Sequence, residues 1–212
     1  MIKKLYYKLI TEDPYQDVND NHRTIFIHIP KNAGTSIEEA LFNTKIGHKT
    51  CKQFQAHNSK KFKNYWKFAI VRNPYDRLVS AFHFLKKGGF HEPDRVWSKK
   101  NIGHIDDFEH FIDSLKDKKF ATKIMRWQHF QPQSFYLENL SNIIDVDHIG
   151  RFENLDNEFD LIKEHLNLNN KQIKHNNRSI RGDYGSYYKN NEMKNVVQIL
   201  YKKDFKNFGY KE

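Results

Sequence analysis

Cysteine is almost absent. Cys51 stands alone, which excludes a disulfide within the chain and any Cys-rich zinc site. That usage fits a reducing compartment, so a cytoplasmic protein is the expectation. Long apolar runs are missing as well. Nothing approaches the roughly 20 residues that a bilayer span requires. The opening stretch MIKKLYYKLITEDPY is broken by Lys8 and then by acidic residues, so it reads as neither a signal peptide nor an anchor. Internal repeats, Gly/Ser linkers and low-complexity tracts are also lacking. No Gly-Lys-Ser/Thr element and no carboxylate cluster with magnesium spacing occurs, which argues against the nucleoside-triphosphatase loop.

Hydrophobic residues make up only 38% of the 212, but aromatics reach 15%, with 17 Phe and 11 Tyr. Large rings fill a core with fewer residues, so the low hydrophobic content does not imply disorder. The length suits one α/β domain over residues 1–212, with 1–23 as a peripheral N-terminal segment. A formal net charge of +10 favours anionic partners. The lysine pairs Lys3-Lys4, Lys60-Lys61, Lys86-Lys87, Lys118-Lys119 and Lys202-Lys203 are scattered along the chain and read as solvated faces.

Thr24–Ile29 (TIFIHI) is β-branched and apolar, the pattern of a buried strand. Helical spacing follows over Ser36–Phe42, with acidic residues in its first turns. A second strand is expected at Trp66–Val71. A helix is expected over Tyr75–Lys87, where Tyr75, Leu78, Val79, Phe82 and Leu85 share a face and Gly88-Gly89 offers a stop. Two strand–loop–helix units point to a three-layer α/β fold with a central parallel sheet flanked by helices. The C-terminal half is helix-rich, with candidates at Asp106–Leu115, Ala121–His129, Leu155–Leu166 and Glu192–Phe205 and a short strand at His148–Phe152. Asn167–Tyr188 is polar and long for an idle connection, which suggests a functional loop. Trp97, Trp127, Phe130 and Tyr136 read as core in preference to a sugar-stacking platform.

Two segments carry chemistry. The first, His28-Ile29-Pro30-Lys31-Asn32-Ala33-Gly34-Thr35-Ser36, lies between a strand and a helix. The N–H groups and dipole of a helix start favour an anion there. Ala33 and Gly34 permit close backbone approach, Thr35 and Ser36 add hydroxyls, and Lys31 adds a positive charge. Unlike the nucleoside-triphosphatase loop, the lysine precedes the glycine. A plain strand-to-helix turn capped by Thr35 or Ser36 is the bland alternative. The second segment, Phe68 to Phe82, again leaves a strand for a helix. Arg72 falls at the strand end, where open parallel sheets place ligands, and a guanidinium grips phosphate bidentately. Ser80 lies two turns down the helix.

Together the two segments resemble the signatures of the sulfotransferases that use 3′-phosphoadenosine 5′-phosphosulfate (PAPS), in particular the carbohydrate and Golgi-type branch and its bacterial relatives. In that family Pro-Lys-x-x-x-Thr-Ser holds the 5′-phosphosulfate and Arg-[Asp/Asn]-Pro-x-x-Arg-x-x-Ser holds the 3′-phosphate. Gly150-Arg151-Phe152-Glu153-Asn154-Leu155 and the stretch from Asp204 to Tyr210 are also similar, so the resemblance runs over about residues 24–210. It implies a P-loop-like fold, PAPS as donor, adenosine 3′,5′-bisphosphate as product and no metal. It places Lys31, Asn32, Ala33, Gly34, Thr35 and Ser36 on the phosphosulfate and Arg72 and Ser80 on the 3′-phosphate. Arg178 and Ser179, in His175-Asn176-Asn177-Arg178-Ser179, match a loop that closes over the cofactor.

Sulfuryl transfer requires an aligned acceptor, charge stabilisation on the leaving phosphate, for which Lys31 is placed, and a general base. The family commonly sets its base between the two motifs. His48 and His57 both lie there, with His48 favoured, and an acidic residue stays open. The acceptor is expected to be a hydroxyl compound, with a carbohydrate favoured by basic charge and aromatic content. Nucleic acid is not the expected partner, and oligomeric state is open. A P-loop kinase acting on a small molecule and a non-enzymatic polyanion or nucleic-acid binder are the competing readings.

Overall fold

The structure is a computed structural model, and it describes residues 2–173 and 182–211. In chain order the elements begin with α1 (Ile2–Ile10), α2 (Asp17–His22), β1 (Thr24–Ile27), α3 (Gly34–Phe42), α4 (Cys51–His57), α5 (Ser59–Asn64) and β2 (Trp66–Val71). Next come α6 (Pro74–Lys86), α7 (Glu92–Ile102), α8 (Phe108–Ser114), α9 (Lys118–Met125) and α10 (Gln133–Leu137). Then follow β3 (His148–Arg151), α11 (Leu155–His165), α12 (Asn191–Leu200) and α13 (Lys202–Phe208). The chain divides into two compact units: one runs to Arg72 and resumes at Gln133, the other begins at Asn73, runs to Pro132 and resumes in the C-terminal stretch.

The first unit holds a parallel three-stranded sheet in the order β1-β2-β3. Thr24 pairs with Trp66 and Ile27 with Ala69, while Phe68 pairs with His148 and Val71 with Arg151. Parallel strands need crossovers, which cover both sheet faces, so β1 and most of β2 are buried on both sides, while the edge strand β3 (HIGR) is only partly covered. On one face Phe26, Phe68 and Ile70 pack with Ile37 and Leu41 of α3 and Phe159 and Ile162 of α11. Ile25, Ile27, Ala69 and Val71, which point the other way, are buried too. The connection from β2 to β3 contributes Asn73–Pro132, the larger part of the second unit.

In that second unit α6 starts on a strong signal. Pro74 occupies its first turn, and Asn73 Oδ1 accepts from the Tyr75 N–H at 2.9 Å. Leu78, Val79, Phe82 and Leu85 enter a core with Phe108, Phe111, Phe130 and Phe205. Phe82 and Phe111 stack with centroids 4.9 Å apart. Two tyrosine hydroxyls find backbone acceptors inside this core, Tyr188 on the Tyr75 carbonyl and Tyr201 on the Phe130 carbonyl.

The α/β class and the parallel sheet flanked by helices agree with the sequence reading, and several boundaries move. β1 stops at Ile27, and α3 begins at Gly34, two residues earlier than the periodicity predicts. The helices expected at Asp106 and Ala121 start instead behind the carboxylate caps of Asp107 and Asp117. The helix expected over Glu192–Phe205 is two helices, α12 and α13, broken at Tyr201. Phe130 and Tyr136 are buried as expected, whereas Trp97 and Trp127 are only half-buried, stacked on each other at 4.9 Å. Among the described residues, no helix is long and apolar enough to cross a membrane.

Candidate active site

The loop between β1 and α3 is held in an unusual backbone. Lys31 (φ 73°) and Ala33 (φ 61°) both adopt the left-handed conformation without being glycine. Each such residue costs about 1–2 kcal/mol, so something must hold the loop there. Asn32, between them, supplies the anchor. Its side chain is buried and its Nδ2 donates to the Ile70 carbonyl and to Gln133 Oε1, both at 2.7 Å. Asn32 therefore points its side chain inward, at the end of β2. Among the described residues its carbonyl oxygen Oδ1 meets no hydrogen-bond donor.

Gln133 opens α10 and is fully buried. Its Oε1 also accepts from the Arg72 backbone N–H and its Nε2 donates to the Arg72 carbonyl, each at 2.8 Å. The Arg72 guanidinium lies over the Phe152 ring, 3.9 Å from its centroid, and its Nη1 donates to the Lys31 carbonyl at 2.9 Å. The loop after β1 and the end of β2, and with them residues from both sequence motifs, are thus joined by hydrogen bonds. Arg72 is itself buried.

Gly34 stands at the first position of α3 because of a neighbour. A Cβ there would lie 1.9 Å from His28 Cδ2, so the imidazole occupies the space a side chain would need. Thr35 is exposed and Ser36 half-buried in the first turn. That turn contains no acidic residue, so its N–H groups and dipole remain uncompensated by a carboxylate. The acidic residues expected to support this helix end do not lie there. Glu38 is buried, pairing with His28 Nδ1 at 2.9 Å and accepting from the Ile46 N–H at 3.0 Å. Burial alone would raise the Glu38 carboxyl. The His28 hydrogen bond and charge, with the N–H groups of Ile46 and Gly47, more than offset it and hold the group below the usual carboxylate range.

His48 packs edge-on against His28 with ring centroids 4.3 Å apart. Its Nδ1 lies 3.0 Å from the His28 carbonyl. A carbonyl only accepts, so Nδ1 carries the proton and Nε2 is the basic nitrogen of the neutral ring. The half-buried ring is thereby joined to the residues that lead into the loop between β1 and α3. His57 sits elsewhere in this unit, at the last turn of α4, with Nε2 3.1 Å from Thr11 Oγ1. Thr11 gives its own hydroxyl proton to the Tyr7 carbonyl, so His57 Nε2 is the donor in that contact.

Ser80 belongs to the second unit, half-buried on α6. Arg178 and Ser179 lie outside the described residues. The sequence reading misses His28, Glu38, Gln133 and Phe152. A glutamine 61 residues after Arg72 carries no local signal, whereas Glu38 reads in the sequence only as one of the acidic residues in the first turns of the helix. Among the described residues no group of three or more His, Cys, Asp or Glu could hold a metal ion.

The sequence model of the Sulfotransferase family matches residues 15–211, which takes in both motifs, both units and all three strands. The chain belongs to the sulfotransferase family. Carbohydrate sulfotransferase 10 of Xenopus laevis is 25% identical to it over 246 aligned residues, covering 92% of this chain and 67% of that relative. No solved structure matches.

Proposed function

We propose that this sulfotransferase moves the sulfuryl group of PAPS to a hydroxyl of a carbohydrate acceptor by in-line displacement, with His48 as general base. The observation that carries the reading is the bond from Arg72 Nη1 to the Lys31 carbonyl, which draws residues of the two phosphate-binding motifs together.

In this reading the acceptor oxygen attacks sulfur while the bond from sulfur to the phosphate oxygen breaks. His48 Nε2 takes the hydroxyl proton, and its Nδ1–H on the His28 carbonyl fixes that tautomer. Lys31, with the N–H groups of Gly34, Thr35 and Ser36 and the hydroxyls of the last two, stabilises charge on the leaving phosphate. Asn32 contributes by anchoring the loop, since its side chain is engaged with Ile70 and Gln133. Ala33 contributes its backbone. Arg72 is assigned to the 3′-phosphate, and Ser80 keeps the phosphate-binding role of its motif. Arg178 and Ser179 keep the role of the closing loop, and His57 is the second choice of base.

A carbohydrate acceptor is supported by the similarity to a carbohydrate sulfotransferase. It is also supported by a groove of about 690 Å³ in the second unit, lined by Val96, Trp97, Lys100, Lys123 and Trp127 among others. Stacked indoles offer the flat apolar face on which sugar rings pack, and the lysines suit an anionic sugar.

The test is incubation with radiolabelled PAPS and a panel of glycan, phenol and lipid acceptors, alongside thermal stabilisation by adenosine 3′,5′-bisphosphate and by ATP with magnesium. The expected result is label on a glycan and a shift with the bisphosphate alone. Label confined to phenols or lipids would overturn the acceptor. A shift with ATP and magnesium alone would overturn the donor in favour of a kinase.

A further inference from the structure

Apolar side chains left at the surface are concentrated in one place. Ten large hydrophobic residues are strongly exposed among those described, and five belong to α1: Ile2 (85%), Leu5 (60%), Tyr6 (57%), Leu9 (76%) and Ile10 (57%). They recur at i, i+3, i+4, i+7 and i+8, which places them in one stripe along the helix. The other five, Phe90, Val96, Ile143, Leu161 and Ile199, are spread over the chain.

Helix α1 is attached by its other side. Tyr7 is half-buried, and Thr11, which follows the helix, bonds both the Tyr7 carbonyl and His57 at the end of α4. No residue of α1 is buried. Its charged residues are all lysines, Lys3, Lys4 and Lys8, each exposed, and the helix contains no acidic residue. An apolar stripe flanked only by cations is the pattern of a helix that lies in the plane of a membrane interface.

We propose that α1 docks this protein on an anionic lipid surface, with its apolar stripe in the acyl boundary and Lys3, Lys4 and Lys8 on the headgroups. Nine residues span only about 14 Å, too short to cross a bilayer but sufficient to lie along one. A second copy is a poor occupant. The stripe of one such helix is far smaller than the roughly 1,200 Å² of a stable interface. Self-association through it would also set lysine-only helices of two chains carrying +10 each against one another. An anionic lipid surface satisfies both the apolar and the cationic part of the helix, and each lysine near it adds attraction that salt weakens.

The test is co-sedimentation of the full chain with vesicles of phosphatidylcholine alone and of phosphatidylcholine mixed with phosphatidylserine. Binding is expected to the mixed vesicles only. The double variant Leu5→Ser/Leu9→Ser should weaken it at least about tenfold. The triple variant Lys3→Gln/Lys4→Gln/Lys8→Gln should weaken it on the order of a hundredfold. All five side chains are exposed, so the melting temperature and its shift with adenosine 3′,5′-bisphosphate should be unchanged, which separates this result from the donor assignment. Absence of binding to the mixed vesicles, or binding indifferent to both variants, would overturn the proposal. So would a dimer in sedimentation velocity that Leu5→Ser/Leu9→Ser dissociates, since the stripe would then belong to a second copy.

Discussion

Gln133 grips the backbone of Arg72 at both ends, accepting its N–H and donating to its carbonyl at 2.8 Å each. The amide thus acts like one residue of an additional strand beside the end of β2. The same Oε1 receives Asn32 Nδ2 from the loop after β1. One buried side chain therefore fixes both the strand end that presents Arg72 and the strained loop that contains Lys31.

Gln133→Met should separate these functions from plain packing, because it keeps the volume and removes the hydrogen bonds. Three buried polar groups lose a partner, each at a cost of about 1–3 kcal/mol. A lower melting temperature and a weakened affinity for adenosine 3′,5′-bisphosphate are expected. Gln133→Glu keeps the accepting oxygen but turns a carboxylate oxygen towards the Arg72 carbonyl in a buried site, so it should be destabilised as well. Calorimetric titration of both variants at a temperature where they are folded gives the check. Unchanged affinity in the folded Gln133→Met protein would limit Gln133 to a structural role.

His48→Gln should abolish turnover and leave binding of adenosine 3′,5′-bisphosphate close to normal. Glutamine can still donate to the His28 carbonyl but cannot take a proton at neutral pH. Steady-state rates and a thermal shift measured side by side decide it. Near-normal turnover would remove His48 from the role and return attention to His57 or to a carboxylate.

Gly34→Ala should destabilise the fold by about 1–3 kcal/mol, because the new Cβ meets the His28 ring at 1.9 Å. In a His28→Ala background the same change should be close to neutral or even favourable, since alanine is the better helix former by about 1 kcal/mol. A double-mutant cycle in denaturant measures the coupling. Equal costs in both backgrounds would show that the glycine is required for another reason.

Glu38 gives the fold a defined sensitivity to acid. Its carboxyl is held below its ordinary value of 4.5 in the folded protein. The ionised form therefore stabilises the fold above that value, and the contribution is lost as pH falls through the lower folded one. Unfolding midpoints measured from neutral pH down through this range should decline less steeply in Glu38→Gln than in the parent. Parallel curves would show that other carboxylates govern the acid limb.

Local patterns made part of this architecture legible. β2 and α6 follow from an apolar run, an Asn-Pro start, a helical face and a Gly-Gly stop, and the structure places them within a residue of the reading. Other signals were equally local but unread. Thr50 and Gln53 form a capping box that begins α4, with the Gln53 side chain returned to the Thr50 backbone. The break at Tyr201 had no local marker, because the hydroxyl of that residue reaches the Phe130 carbonyl 71 positions earlier.

The parallel α/β class and the places of the two motif segments after β1 and β2 were legible in the order of residues, because strand burial, helix starts and turn residues depend on near neighbours. What holds those segments together, and which histidine lies beside them, follows from contacts made on folding. Gln133, Phe152 and Glu38 act through contacts whose partners lie far apart along the chain or on another element. His48 meets the His28 ring and carbonyl, whereas His57, at the end of α4, meets Thr11. Residue identity states what a side chain can donate or accept, and the fold selects the partner.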